Sequence, residues 1–425
     1  MIVSIAWRNL WRNPARSLLT MLALSGSLVI MLLYAALVEG ISRQMVTQAT
    51  DYSSAHLQIH RQTFIDDRDL YATVPWSYLA KMEQAFPTLQ VAPRLYAAAL
   101  ASAGQHSSSV MIQAVDPKRE PEVTQLLSGL SEPISQLGQV RGATEPFPRY
   151  NLLVGSQMAK RMALKPGDEL ILVTQAADGT VGNGLFRIAG LLRTVDPNME
   201  RRGILMSIEG YQSLMALQQG FHELAIRVAE IDDLQPTQPL IEQRLQQWQA
   251  QQPLDPFGGN LLLRNWQQLN PAVAELLALS RSMMLLMGLI IIGLASLGMV
   301  NTLLMAIHER THEFGILLSI GMSRWWLLQM VLLESLFLAL VSALAGTLLS
   351  TLLCNHLESH GIDLSGQLPD GYEWGGILFD PVMQVYLEPQ AIIQLVGLML
   401  LITLLAALLP SWRSTRLRPA EVLRC

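Results

Sequence analysis

Four uncharged apolar runs punctuate the chain, at 18–38, 282–307, 335–357 and 389–412. Each exceeds the roughly 20 residues a helix needs to cross hydrocarbon, where a backbone must satisfy its own hydrogen bonds. The pattern predicts an integral membrane α-helical bundle of four transmembrane helices. A large mixed α/β extracytoplasmic domain is inserted between helices 1 and 2. The boundaries predicted are an interfacial helix at 1–17, helix 1 at 18–38, and the α/β domain with its stalk at 39–280. Helix 2 follows at 281–307, a cytoplasmic segment at 308–324 and helix 3 at 325–357. A loop at 358–388, helix 4 at 389–412 and a tail at 413–425 complete the chain. The first run is read as a retained span, because Glu39-Gly40-Ile41 offers no small-x-small cleavage pattern.

Inside 39–280 the pattern changes to short alternating segments. Leu152-Leu153-Val154-Gly155 leads into a helical stretch at 156–163. A Lys165-Pro166-Gly167-Asp168 turn then precedes a strand at 169–174. A second strand is expected at 186–194, after the turn at Ala177-Asp178-Gly179. Residues 55–60 and 224–228 read as short strands, and 239–250 as a helix. Residues 264–281 read as a helical stalk, with Pro271 where a helix start tolerates it. Near the amino terminus Ile5, Trp7, Leu10 and Trp11 share an apolar side, which suits a helix lying in the membrane interface. Pro14 is expected to break that helix before the span.

Composition changes the picture in one respect. Charged residues are only 15% of the chain and the net charge is -5, which argues against a nucleic-acid partner. Arginines fix the orientation. Arg8, Arg12 and Arg16 precede the first run, Arg310 and Arg324 lie between the second and third, and Arg413, Arg416 and Arg418 follow the fourth. The loop at 358–388 has no Lys or Arg, so both termini are expected in the cytoplasm. Cys354 and Cys425 fall at different depths and predict no disulfide.

The densest motif begins where the second run ends, and reads Glu309-Arg-x-x-Glu313-x-Gly315, then Gly321-x-Ser323-Arg324. It resembles the coupling region of FtsX-like ABC permeases, a family that includes the MacB type and the LolC and LolE lipoprotein-release type. Arg8-Asn9-Leu10 with Arg12-Asn13-Pro14-Ala15-Arg16 is similar to the family's amino-terminal signature. The segment from Pro410 to Arg424 is similar to its carboxy-terminal one. Val154-Gly155, Leu164, Gly167-Asp168 and Gly190 resemble its extracytoplasmic domain. Leu318 and Ser319 depart from the pattern, where the family often has Arg and Ala.

The resemblance implies a transport subunit rather than an enzyme, working in the bacterial inner membrane with a second permease copy or paralogue. A separate cytoplasmic ABC ATPase would bind ATP and Mg, and this chain would bind no cofactor. Its seat would be Glu309, Arg310, Glu313, Gly315, Gly321, Ser323 and Arg324. Lipoprotein or lipid release to a periplasmic carrier is the leading function. Alternatives are efflux of a peptide or small molecule, or signalling to a periplasmic hydrolase. The chain has no Gly-x-x-x-x-Gly-Lys-Ser/Thr loop of its own.

A rival reading occupies the same residues. His308-Glu309-Arg310-Thr311-His312 fits the H-E-x-x-H zinc pattern of an intramembrane protease, a remote alternative, since the tempting third ligand Asp370 falls on the opposite face of the membrane and no metal site is expected. Two further features invite a use. Glu334 in the third helix needs a polar partner, expected to be an arginine near the cytoplasmic edge. Ser342, Gly346 and Ser350 form a small-residue stripe for helix packing, within the bundle or between copies.

Overall fold

The computed structural model describes residues 2–127, 137, 140–141, 149–192, 197–251, 259–363, 366, 372–374, 377–379 and 382–415. Asp370 lies outside them, as does the part of the carboxy-terminal signature from Arg416 to Arg424. The chain forms two compact units.

In chain order, α1 (Ile2–Leu10) is followed by α2 (Pro14–Ala49), a π-helical turn (Thr50–Ser54) and β1 (Leu57–Arg61). A long hairpin follows, β2 (Gln90–Ala103) and β3 (His106–Val115). Next come β4 (Arg149–Gly155), α3 (Ser156–Met162), β5 (Glu169–Gln175) and β6 (Val181–Leu192). Then β7 (Gly203–Ser207), α4 (Ile208–Met215), β8 (Glu223–Arg227), α5 (Leu234–Gln251) and β9 (Leu261–Asn265) complete the sheet region. Finally α6 (Pro271–Glu309), α7 (Thr311–Ser319), α8 (Arg324–His360) and α9 (Pro389–Thr415) follow. Among the described residues four helices are long and apolar enough to cross a membrane: α2 with its π-turn, α6, α8 and α9.

The helical unit packs through apolar faces. Leu24, Leu28, Met31 and Leu32 of α2 meet Ile292, Met299 and Leu303 of α6 and Leu395 and Met399 of α9. The break expected at Pro14 is present: α1 ends at Leu10 and Pro14 opens α2, where the first turn of a helix has no intrahelical use for the missing N–H. Ser342, Gly346 and Ser350 are buried on α8. A Cβ on Gly346 would lie 3.1 Å from the Ser25 carbonyl oxygen and 3.1 Å from Leu28, so this stripe seats α2. The contact is one within the bundle.

The sheet unit runs in the order β9-β1-β8-β2-β3-β7-β4-β6-β5, and β5 returns to pair with β2. Six strands thereby close into a ring, which leaves those strands without a free edge, while β9 ends the sheet. The paired registers put Ala97, Ile112, Leu152, Leu170, Phe186, Ile188 and Ile204 on its inner face, and all are buried. The β2–β3 hairpin escaped the sequence reading. Its outer residues run through small and polar side chains, Ser102, Ser107, Ser108 and Ser109, which mask alternation. β6 begins at Val181, five residues before the expected start, because its glycines Gly182 and Gly184 hide a segment that β5 pairs from Val181 to Arg187. The stalk also needs correction. Residues 264–265, expected as its start, belong instead to β9, which pairs with β1 from Leu57↔Asn265 to Arg61↔Leu261; a short helix at Trp266–Leu269 follows, and the long helix starts at Pro271.

The π-turn before β1 is closed by the Ala55 amide donating to the Thr50 carbonyl at 2.8 Å. Ala55 itself sits at φ 58, ψ -170, a region that glycine alone enters freely. Ala55→Gly is expected to raise stability by about 1 kcal/mol, the lower end of such strain. A rise in the unfolding midpoint of the full chain checks this; a fall would mean that the buried methyl, packed on Ala92, Val123 and Ala225, matters more.

Candidate functional site

The motif residues following the second apolar run converge on the amino-terminal arginines. α6 ends at Glu309, α7 starts at Thr311, and Arg310 between them is non-helical at φ -101, ψ 12. That break turns α7 away from the line of α6. Arg12, in the short link between α1 and α2, donates two hydrogen bonds to Glu313, at 3.0 and 2.6 Å. Arg16 donates to Glu309 at 2.5 Å. Arg310 reaches both Glu313 and Glu334 at 3.3 Å, and its guanidinium lies 5.3 Å from the Phe314 ring centroid. Three arginines and three carboxylates thus join α2, α7 and α8.

Paired charges of this kind contribute little singly at a surface, but a bidentate pair within a network fixes orientation. The hydrogen bonds from Arg12 pull the Glu313 carboxyl below the usual carboxylate range, with burial opposing and Arg310 assisting. Beneath the network Phe314 is buried with Leu327, Met330 and Val331, so α7 is held by packing on α8 as well as by charge.

The predicted seat therefore divides in two. Glu309, Arg310 and Glu313 turn toward α2 and α8. Gly315 is buried inside α7. Gly321 ends the helix at φ 98, which a side chain would strain. Ser323 caps α8, its hydroxyl accepting from the Trp326 amide at 3.4 Å, and Arg324 is exposed. The outward surface is apolar: Ile316, Ile320 (79% exposed), Trp325 (64% exposed) and Trp326. Sequence reasoning missed Arg12 and Arg16 as partners, since nothing local links positions about 300 apart; their spacing of one helical turn, matching Glu309 and Glu313, was the available signal. Glu334 meets the arginine expected of it.

The zinc pattern does not assemble. Its two histidines would need one continuous helical turn, and the non-helical Arg310 interrupts it. Glu309, the required base, is paired with Arg16. Among the described residues no group of three or more His, Cys, Asp or Glu side chains is placed to hold a metal.

In the sheet unit a second charged cluster is wholly buried. Arg94 on β2 donates to Glu120 at 2.6 and 3.1 Å, to Glu223 at 2.8 Å and to the Ser53 carbonyl at 2.8 Å. Tyr96 donates to the other oxygen of Glu223 at 2.8 Å, and Thr124 to Glu120 at 2.6 Å. Burial opposes the charge on Arg94, but the two carboxylates outweigh it and hold the guanidinium above its ordinary value. Burial pushes the Glu223 carboxyl up, and Arg94 and Tyr96 offset this only in part. Beside the cluster Phe64 is stacked between two histidines, its centroid 5.6 Å from His60 and 5.0 Å from His222. With every group satisfied internally, this cluster holds strands together and offers no open chemistry.

A bundle of membrane-length helices, a closed sheet unit between the first and second of them, and a charge-fixed apolar element after the second define a membrane permease. Two family models match it: the FtsX-like permease C-terminal domain over residues 285–419, and the MacB-like periplasmic core domain over residues 17–244. The chain belongs to the FtsX-like ABC transporter permeases that carry a MacB-like periplasmic core domain. It is 20% identical to the lipoprotein-releasing system transmembrane protein LolC of Xylella fastidiosa, covering 82% of this chain and 81% of the relative. With LolE of Haemophilus influenzae identity is 21%, covering 82% and 80%. With the macrolide export ATP-binding/permease protein MacB of Bordetella avium it is 22%, covering 54% of this chain and 37% of that protein. The crystal structure of the periplasmic region of MacB from Actinobacillus actinomycetemcomitans superposes with a TM-score of 0.34 at 11% identity, covering 51% of this chain and 92% of that one.

Proposed function

We propose that this permease couples a separate cytoplasmic ABC ATPase to its extracytoplasmic sheet unit, and that the task is release of a lipoprotein or lipid from the membrane. The observation that carries the reading is the division of the seat. An ATPase would dock on the exposed Ile316, Ile320, Trp325 and Trp326 surface, while Glu309 and Glu313 tie that element to Arg16 and Arg12 at the start of α2. Force on α7 would then enter the first membrane helix as well as α6. A second permease copy or a paralogue would provide the other seat, and a periplasmic carrier or lipoprotein would meet the sheet unit. Both termini would lie in the cytoplasm, with ATP and Mg held by the ATPase. The length over which the LolC and LolE relatives align supports release over efflux.

Charge reversal tests the tie. Arg12→Glu should leave the ATPase bound but abolish the dependence of cargo release on ATP, and Arg12→Glu with Glu313→Arg should restore it. Single and double variants are compared after purification with whichever ATPase accompanies the chain, scoring lipoprotein or lipid recovered per ATP hydrolysed. An Arg12→Glu complex that releases cargo normally would remove α2 from the coupling route. Ile320→Asp should instead lose the ATPase itself; retention of a stoichiometric ATPase would move the seat elsewhere.

A further inference from the structure

We propose that His356 and His360 form a binding site for a divalent transition-metal ion of the copper, nickel or zinc type. The two residues lie one turn apart near the end of α8, and their ring centroids are 4.6 Å apart, tilted by 41°. Both side chains are exposed, beyond the buried stripe of the helix.

Hydrogen bonding decides which nitrogens are available. Ser359 Oγ donates to the His356 carbonyl at 2.8 Å, leaving its lone pairs to accept. His360 Nδ1 lies 2.8 Å from that same hydroxyl and 3.0 Å from the His356 carbonyl. Two acceptors facing one ring nitrogen place the proton on Nδ1, so Nε2 of His360 carries an unshared lone pair. A ring fixed through one nitrogen to a backbone carbonyl is the arrangement that orients metal-bound imidazoles. Neither ring nitrogen of His356 has a hydrogen-bond partner among the described residues. The pair therefore presents two unoccupied imidazole donors on one helical face.

Neutral imidazole suits zinc, copper and nickel, and copper(II) binds such nitrogen donors most tightly of the divalent series. With two protein ligands, the remaining coordination positions go to water or to an incoming donor, which makes the site open and exchangeable. It shares no residue with the α7 network. His308 and His312 have the same spacing, but the helix break at Arg310 separates them.

The test uses the full chain in detergent, purified without a polyhistidine tag and titrated with copper(II) alone. Electron paramagnetic resonance should show one copper per chain with nitrogen hyperfine coupling. His356→Gln and His360→Gln, each alone, should weaken binding by about tenfold or more, the loss of one of two donors. His308→Gln with His312→Gln should leave binding unchanged. Copper binding unaltered in His360→Gln, absent from the unmodified chain, or lost only with His308 and His312 would overturn the proposal. Because both residues are exposed and each is replaced singly, elution as a folded species in gel filtration separates lost binding from lost structure.

Discussion

Replacing Arg94 with Met is expected to destabilise the sheet unit by about 3–5 kcal/mol, the cost of stranding a buried charge. The side chain is only 1% exposed, and among the described residues it is the one cation paired with Glu120 and Glu223, which are 0% and 5% exposed. Removing it leaves two carboxylates with their hydroxyl partners, Thr124 and Tyr96, and no positive charge in contact. Repulsion between them would be relieved by taking up a proton or by opening β2 from β8, which pair from Glu223↔Arg94 to Arg227↔Gln90. Denaturant unfolding of the full chain, followed by the fluorescence of Trp76, Trp248 and Trp266, measures the loss. The same logic predicts that replacing Arg94, Glu120 and Glu223 together with apolar residues of similar volume recovers most of it. A loss below 1 kcal/mol for Arg94→Met alone would show that the cluster relaxes or hydrates without cost.

Mild acid should weaken the same unit well before ordinary carboxylates titrate. Burial drives His60 down to about 3 and His222 down to about 4, against an unfolded value of 6.5. The geometry explains the resistance of His222. Its Nε2 is 2.7 Å from the Leu70 carbonyl and its Nδ1 accepts from the Tyr96 amide at 2.9 Å, so a second proton would cost a backbone hydrogen bond. Between pH 6.5 and those folded values the unfolded chain binds protons that the folded chain refuses. Stability contributed by the two histidines is therefore complete above 6.5 and is lost as pH falls toward 4 and 3. By pH 5 the loss is about 2 kcal/mol for each histidine. Glu223 acts in the opposite sense, since its raised value favours the folded state as pH falls, and offsets part of the slope. Unfolding midpoints at pH 7.5 and pH 5 measure the net effect, and His60→Gln should roughly halve the difference. An identical slope in that variant would assign the acid sensitivity to other groups.

How much of this was legible beforehand depended on range. The four apolar runs announce the membrane helices because hydrocarbon tolerates almost nothing else, and the run at 282–307 needs no tertiary context. The strand β5 follows its own turn, Lys165-Pro166-Gly167-Asp168, and was readable for that reason. The ring closure through β2 and β5 was not, because Leu100↔Val173 is a contact between distant segments with small neighbours. The same limit applies to the site. Glu309 and Glu313 stood out as a motif, yet what they touch is decided by Arg12 and Arg16 at the far end of the chain. Motif reading assigned those carboxylates an outside partner; their geometry gives them an inside one.

The close seat of Gly346 on α2 bears on how a lipidated cargo would travel. With the Ser25 carbonyl and Leu28 closer than ordinary van der Waals contact to any added methyl, no acyl chain fits between α2 and α8 at that depth. Lateral entry from the bilayer along that seam is closed at that depth. A hydrocarbon tail leaving the membrane would have to slip past another helix pair, or around the outer face of the bundle.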